Sequence, residues 1–192
     1  LNVLEACRAA GVRKLVHSSS AGIFGELKHL PISEDHPVEP DSPYGASKLA
    51  GEKLALAYTK LYDLEAVALR YFNVYGPNEW HKGDMRSMVC KGYEQVRDTG
   101  KVRLFKSDRP EYADGGQQRD FVYVKDAVDM TLWFADKPQV NGVFNVGSGE
   151  AKDWNRLITA IFSALGRETV IEYIRMPEHL KGKYQYHTEA RM

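Results

Sequence analysis

Tyr44-Gly45-Ala46-Ser47-Lys48 sets a phenol and an ammonium four residues apart, and on a helix that spacing puts both side chains on one face. A tyrosine hydroxyl has an ordinary pKa near ~10 and is a poor base at neutral pH. A cation held beside it favours the phenolate, so the pair can exchange a proton with an alcohol while that alcohol is oxidised. The same pattern also occurs as a plain surface pair. Ser18-Ser19-Ser20 ends 24 residues before Tyr44. It follows a strand pattern, and ligands of α/β sheets bind beyond the carboxyl ends of strands. A hydroxyl there could hold the same substrate oxygen as Tyr44, or simply make a turn of small residues.

Alternating elements must place these groups. Val3, Leu4, Cys7 and Ala10 share a helical face, with Gly11 as a stop. Arg13 to His17 reads as a strand running into the serines. Residues 25–41, with Pro31, Pro37 and Pro40, read as a loop. Ser42-Pro43 opens a helix as N-cap and first residue, and Leu54, Ala57, Tyr58 and Leu61 form its apolar stripe. Ala66 to Phe72 is an apolar run of strand length. Helix, strand, helix, strand in this order predicts a parallel sheet with helices on its faces. Beyond Gly76-Pro77, Met85, Met88, Val89, Tyr93 and Val96 predict a helix and Val102 to Phe105 a strand. Residues 106–118 are polar and glycine-rich. Phe121 to Val124 predicts a strand, the face of Val128, Thr131, Leu132 and Ala135 a helix, and Val143 to Val146 a strand. Trp154, Leu157, Ile158, Ile161, Phe162 and Leu165 make an amphipathic helix of core type, stopped by Gly166. The stretch 172–188 shows no periodicity.

Composition limits the possibilities. The 192 residues carry 26 basic and 26 acidic side chains, for a net charge of zero. That argues against broad nucleic-acid binding, which needs a basic field. With 43% hydrophobic residues the chain is globular, not disordered. No apolar run approaches the ~18 residues of a membrane span. Cys7 and Cys90 give neither a disulfide framework nor zinc spacing, and the six histidines show no metal-binding pattern. The expectation is a cytoplasmic protein without a metal. The chain opens at Leu1, already inside a helical pattern, so a piece of a longer protein is expected. Gly147-Ser148-Gly149 begins like a dinucleotide-binding fingerprint, but Lys152 stands where the third glycine belongs.

Ser18-Ser19-Ser20 with Gly25, Tyr44 to Lys48, and Arg70-Tyr71-Phe72-Asn73-Val74-Tyr75-Gly76-Pro77 together resemble the extended short-chain dehydrogenase/reductase superfamily. Arg119-Asp120-Phe121-Val122-Tyr123-Val124 with Asp126, and Phe144 to Gly149, fit the same pattern, so the resemblance covers nearly the whole chain. Glu79-Trp80-His81-Lys82-Gly83, Leu104 to Ser107, Met176-Pro177-Glu178-His179-Leu180 and Lys183-Tyr184-Gln185 resemble, more narrowly, the ADP-glyceromanno-heptose 6-epimerase family.

The resemblance implies an α/β fold: an incomplete Rossmann-like doubly wound parallel sheet lacking its first βαβ units, with a smaller α/β substrate-binding region. It divides the chain into a dinucleotide-binding part, residues 1–76 and 118–149, and a substrate-binding part, 77–117 and 150–192. It implies NADP as cofactor, with NAD possible, an ADP-heptose as substrate and a homo-oligomer. Tyr44 and Lys82 would be the acid/base groups for the two epimers, Lys82 if burial or a nearby cation tunes it. Lys48 would orient the nicotinamide ribose and Ser20 the substrate hydroxyl. Lys48, Tyr44, Val74 and Lys82 would border the cofactor. Ser20, Asn73, Asp84, Lys91, Phe105, Lys106, Ser107, Asp108, Arg119 and Tyr184 would contact substrate. Arg119 suits a diphosphate, guanidinium being a bidentate fork for phosphate oxygens; its other reading is a salt bridge to Asp120 or Asp126. Another nucleotide-sugar 4-epimerase or dehydratase, or a relative that only binds, are the alternatives.

Overall fold

A computed structural model describes residues 1–182 and 184–192; Lys183, from one motif of the narrower resemblance, lies outside them. Helix and strand alternate as α1 (Asn2–Ala9), β1 (Lys14–Ser20), α2 (Pro43–Leu61) and β2 (Glu65–Tyr71). There follow β3 (Asn73–Tyr75), α3 (Met88–Thr99), β4 (Val102–Phe105), β5 (Gln118–Tyr123), α4 (Val124–Ala135), β6 (Gly142–Val146), β7 (Ala151–Asp153), α5 (Trp154–Ala164) and β8 (Ile171–Ile174).

β1, β2 and β6 form a parallel sheet with β2 central, in register from Lys14 opposite Glu65 to Ser20 opposite Tyr71. Side chains of a strand alternate between faces. Ala66 packs against Leu4 of α1 and Ala55 and Tyr58 of α2, and Arg70 reaches Glu52 of α2. Val67 and Leu69 point the other way, into a cluster with Ala127 of α4. Helices therefore cover both faces, which is why β2 reads as one unbroken apolar run. This is the doubly wound parallel α/β arrangement expected.

Two smaller sheets complete the chain. β5 pairs parallel with β3 and antiparallel with β7, and β4 pairs parallel with β8. Val96 of α3, Val102 and Leu104 of β4, and Ile158 and Phe162 of α5 share one core. Residues 118–149 thus give β5 to the second sheet and β6 to the first. The last residues lie along β5: Gln118 N–H donates to Tyr186 O, Thr188 N–H to Gln118 O and Ala190 N–H to the Asp120 carboxylate. On its other side this stretch bonds to the loop through Ile32 N–H to Glu189 O and Arg191 N–H to Ile32 O.

Several elements differ from expectation. β3, β7 and β8 are too short for alternation to show. Val124 begins α4 and does not end a strand; Tyr123 precedes that helix without a side-chain cap, so its start carries no local signal. Leu54 and Leu61 are exposed. The face of α2 that meets the sheet is Gly45, Glu52, Ala55 and Tyr58, where close approach favours small residues and an ion pair replaces an apolar contact. In α4, Val128 and Leu132 are exposed while Ala127, Met130 and Phe134 turn inward. Met85 is exposed on a 3-10 turn, Trp80–Met85. α3 starts only after Ser87, whose Oγ accepts from Cys90 N–H.

Candidate functional site

The end of β1 and the start of α2 meet through two glycines. Ser20 Oγ accepts from Gly22 N–H at 3.1 Å, and Ser42 Oγ caps α2 by accepting from Gly45 N–H at 3.1 Å. A Cβ at position 45 would sit 2.4 Å from Gly22 O, so only glycine lets the helix lie against the serine turn. A Cβ on Gly22 would lie 3.4 Å from Ser20 Oγ and 3.6 Å from the Tyr44 ring, which makes Ser20 and Tyr44 near neighbours. Lys48, one turn on, places Nζ 5.7 Å from the Tyr44 ring centroid and donates to Ser18 O at 3.0 Å. That bond uses one of its three protons and leaves two for a ligand. Tyr44 is 57% exposed. This cluster fits the ribose and nicotinamide end of a dinucleotide: a fixed ammonium with donors to spare beside an accessible phenol.

Buried groups seat α2. Glu52 is fully buried and holds Arg70 through two bonds, 3.1 and 2.7 Å, while accepting from Ser19 Oγ at 3.0 Å. Arg70 also donates to Glu34 O and lies over the Phe24 ring. The His17 ring packs against Gly51, where a Cβ would come within 2.7 Å of it; burial pushes its pKa down.

A second cluster forms around a cavity of about 220 Å³ lined by Lys91, Phe105, Gln117, Trp154 and Tyr184, with Arg86 and Arg103 among its other walls. Arg119 is 8% exposed, its guanidinium 5.3 Å from the Tyr184 ring centroid and 5.7 Å from that of Trp154. It donates to the backbone carbonyls of Gln118 and Gln185 and has no carboxylate partner among the described residues. Burial pushes its pKa down, against the neighbouring phenols of Tyr184 and Tyr112. The expected alternative, a bridge to Asp120, is not made. The Asp120 carboxylate accepts instead from Ser148 N–H and Oγ, Gly149 N–H and Ala190 N–H. A Cβ at Gly147 would strike that carboxylate at 2.6 Å. The Gly-Ser-Gly turn thus holds a carboxylate of the chain itself.

The other expected residues distribute around these clusters. Asn73 Nδ2 donates to Asp120 O and Thr188 Oγ1, and Val74 packs in the first sheet's core. The loop after β4 is pinned by Ser107 N–H to Asp114 and by Asp108 N–H to Tyr186 Oη; Lys106 is exposed on it. Lys82 and Asp84 are exposed on the 3-10 turn. Asp84 O accepts from Lys91 Nζ, which ties that turn to the cavity. Glu79 anchors the same turn, accepting from Ser87 N–H and Oγ and from Gly76 N–H. The structure therefore joins Ser20, Tyr44 and Lys48 in one group and Lys91, Phe105, Arg119 and Tyr184 in another. Lys82 belongs to neither, and its exposure supplies none of the burial expected to tune it.

Gln117, Trp154, Arg86 and Arg103 escape the sequence reading. Trp154 sits first in the apolar stripe of α5 and packs against that core, as the stripe predicts, but it also faces the cavity. It lies edge-on to Phe121 and donates Nε1–H to Tyr184 Oη at 3.2 Å. Gln117 is one polar residue in a polar stretch and carries no local signal. Among the described residues no cluster of histidine, cysteine, aspartate or glutamate could hold a metal ion, and no helix is long and apolar enough to cross a membrane.

The family model of the NAD dependent epimerase/dehydratase family matches residues 1–147. The chain is 50% identical over 192 residues to the ADP-L-glycero-D-manno-heptose-6-epimerase of Nitratidesulfovibrio vulgaris, covering 98% of this chain and 58% of that protein. It superimposes with a TM-score of 0.84 on the Helicobacter pylori ADP-L-glycero-D-manno-heptose-6-epimerase, at 32% identity, covering 100% of this chain and 55% of the other. Thermus thermophilus UDP-glucose 4-epimerase in complex with NAD gives 0.78 at 33% identity, covering 99% and 59%. The chain therefore spans little more than half the length of these proteins.

Proposed function

The chain belongs to the NAD dependent epimerase/dehydratase family, and from that premise we propose that it forms the catalytic and substrate-binding part of an enzyme inverting C6″ of ADP-D-glycero-D-manno-heptose. The observation that carries the nucleotide-sugar reading is Arg119. A cation this buried with no carboxylate partner among the described residues is costly to the folded chain, and a diphosphate beside it would supply the missing anion. The 50% identity to a heptose epimerase supports the choice of sugar.

A nicotinamide dinucleotide, read here as NADP with NAD the other choice, supplies a hydride acceptor and donor when bound. Lys48 and Tyr44 would hold its ribose end, with Val74 and Lys82 at its border. Tyr44, as the phenolate that Lys48 stabilises, takes the proton of the C6″ hydroxyl on Oη as that carbon gives up its hydride and becomes a ketone, leaving Tyr44 as the neutral phenol that returns the proton when the ketone is reduced. Ser20 Oγ keeps the C6″ oxygen within reach of Tyr44. Lys82, exposed on the 3-10 turn, would serve the opposite epimer. Arg119, Asn73, Lys91, Asp84, Tyr184 and the loop Phe105 to Asp108 hold the nucleotide and sugar. In this reading residues 1–76 and 118–149 serve the dinucleotide and 77–117 with 150–192 the substrate. The enzyme would work in the cytoplasm as a homo-oligomer, supplying a lipopolysaccharide precursor. The test is proton NMR of ADP-D-glycero-D-manno-heptose incubated with the full-length protein. Inversion at C6″ is expected. Turnover of UDP-galactose without inversion of the heptose would make the protein a 4-epimerase instead.

A further inference from the structure

Gln117 is completely buried, and neither its Nε2 nor its Oε1 has a hydrogen-bond partner among the described residues. A buried amide without partners destabilises the fold that contains it, and leucine would fill the same space without that cost. Nothing among the described residues explains the residue, but its position does. Gln117 lines the cavity of about 220 Å³ with Phe105, Trp154 and Tyr184. It stands two residues before Arg119, whose guanidinium lies over the same Trp154 and Tyr184 rings. Aromatic walls accept the flat face of a nucleobase by stacking. A carboxamide set into such walls offers one acceptor and one donor side by side. That pair is complementary to the N6 amino group and N7 of adenine.

We propose that Gln117 reads the base of the nucleotide substrate, its Oε1 accepting from the adenine N6 amino group while its Nε2 donates to N7. This rests on the ADP-sugar reading above and adds to it a specificity residue distinct from the diphosphate-binding Arg119. In the free protein the amide is a standing cost, and the bound adenine completes its hydrogen bonds. Removing it should therefore move stability and affinity in opposite directions, which a merely structural glutamine would not do.

The test measures binding of ADP and of purine riboside 5′-diphosphate, which lacks the 6-amino group, by calorimetry. It uses full-length protein saturated with its nicotinamide dinucleotide, so that neither probe reads the cofactor site. The wild type should prefer ADP by roughly ten- to a hundredfold, as expected when a buried acceptor loses its donor. Gln117→Leu, with Gln117→Met as a second variant of matching length, should bind both probes equally and ADP correspondingly more weakly. Its ligand-free melting temperature should equal or exceed the wild-type value. Undiminished preference for ADP in both variants, or no preference in the wild type that binds ADP, overturns the role of Gln117 and leaves the ADP-sugar reading standing. A wild type that binds neither probe overturns both.

Discussion

Tyr44 is exposed and Arg119 buried, and each location suits the task proposed for it. An exposed phenol can meet a mobile alcohol, while a buried guanidinium is dehydrated before its anion arrives. Tyr44→Phe should lower kcat about 10²- to 10⁴-fold with little change in KM, checked by steady-state assay with melting temperature as the folding control. A protein that only binds would be indifferent to it. Arg119→Met should raise the KM for the ADP-sugar at least about tenfold without lowering the melting temperature, because an unpaired buried charge is removed along with its cost. The proposed acid/base pair is legible in the sequence because its geometry is local: one helical turn fixes Tyr44 against Lys48. Gln117 and Trp154 are not, since what makes them part of a site is Tyr184, which reaches them from a distant stretch of chain.

The placement of Tyr44 is decided by how α2 seats on β1 and β2. The apolar pattern at Leu54 and Leu61 points to the wrong face of this helix, because its buried positions hold glycine, alanine and a charged pair whose partner is on β2. Sequence periodicity counts apolar residues and is blind to a carboxylate made buriable by Arg70. Glu52→Gln should destabilise the fold by about 3–5 kcal/mol by stranding that arginine, measured by denaturant unfolding. Gly45→Ala should separate the helix start from the serine turn and lower kcat more than stability. The 3-10 turn bearing Lys82 depends on Glu79. Burial raises the pKa of that carboxyl, but hydrogen bonds from Ser87 and Gly76, with Lys82 nearby, outweigh it and hold the pKa below its ordinary 4.5. A carboxylate depressed on folding stabilises above its unfolded pKa, and that contribution is lost as pH falls through the folded value. The melting-temperature gap between wild type and Glu79→Gln should therefore be full near neutrality and close as pH drops below 4.5.

At the scale of the molecule, a net charge of zero leaves anion binding to local groups. Exposed lysines and arginines are screened by salt, and a buried Arg119 is screened far less. Raising salt from about 0.05 to about 0.5 M should weaken ADP binding only a few-fold, whereas a surface patch would lose far more. The alternation of β1, α2 and β2 was legible because each strand and its covering helix are neighbours in sequence, whereas β6 joins β2 only after α3 and α4 intervene. The assembly of the second sheet was not, since β5 pairs with β7 across α4 and β6, and the last residues return to it from outside any pattern. That return has a consequence in time. The stretch that carries Tyr184 and Tyr186 is bonded to β5 at Gln118, Thr188 and Ala190 and to the loop at Ile32, so opening one bond loosens the next. The amides of Thr188, Ala190 and Ile32 should exchange their hydrogens as one cooperative set. A nucleotide held under Tyr184 should slow all three, although it touches none of them.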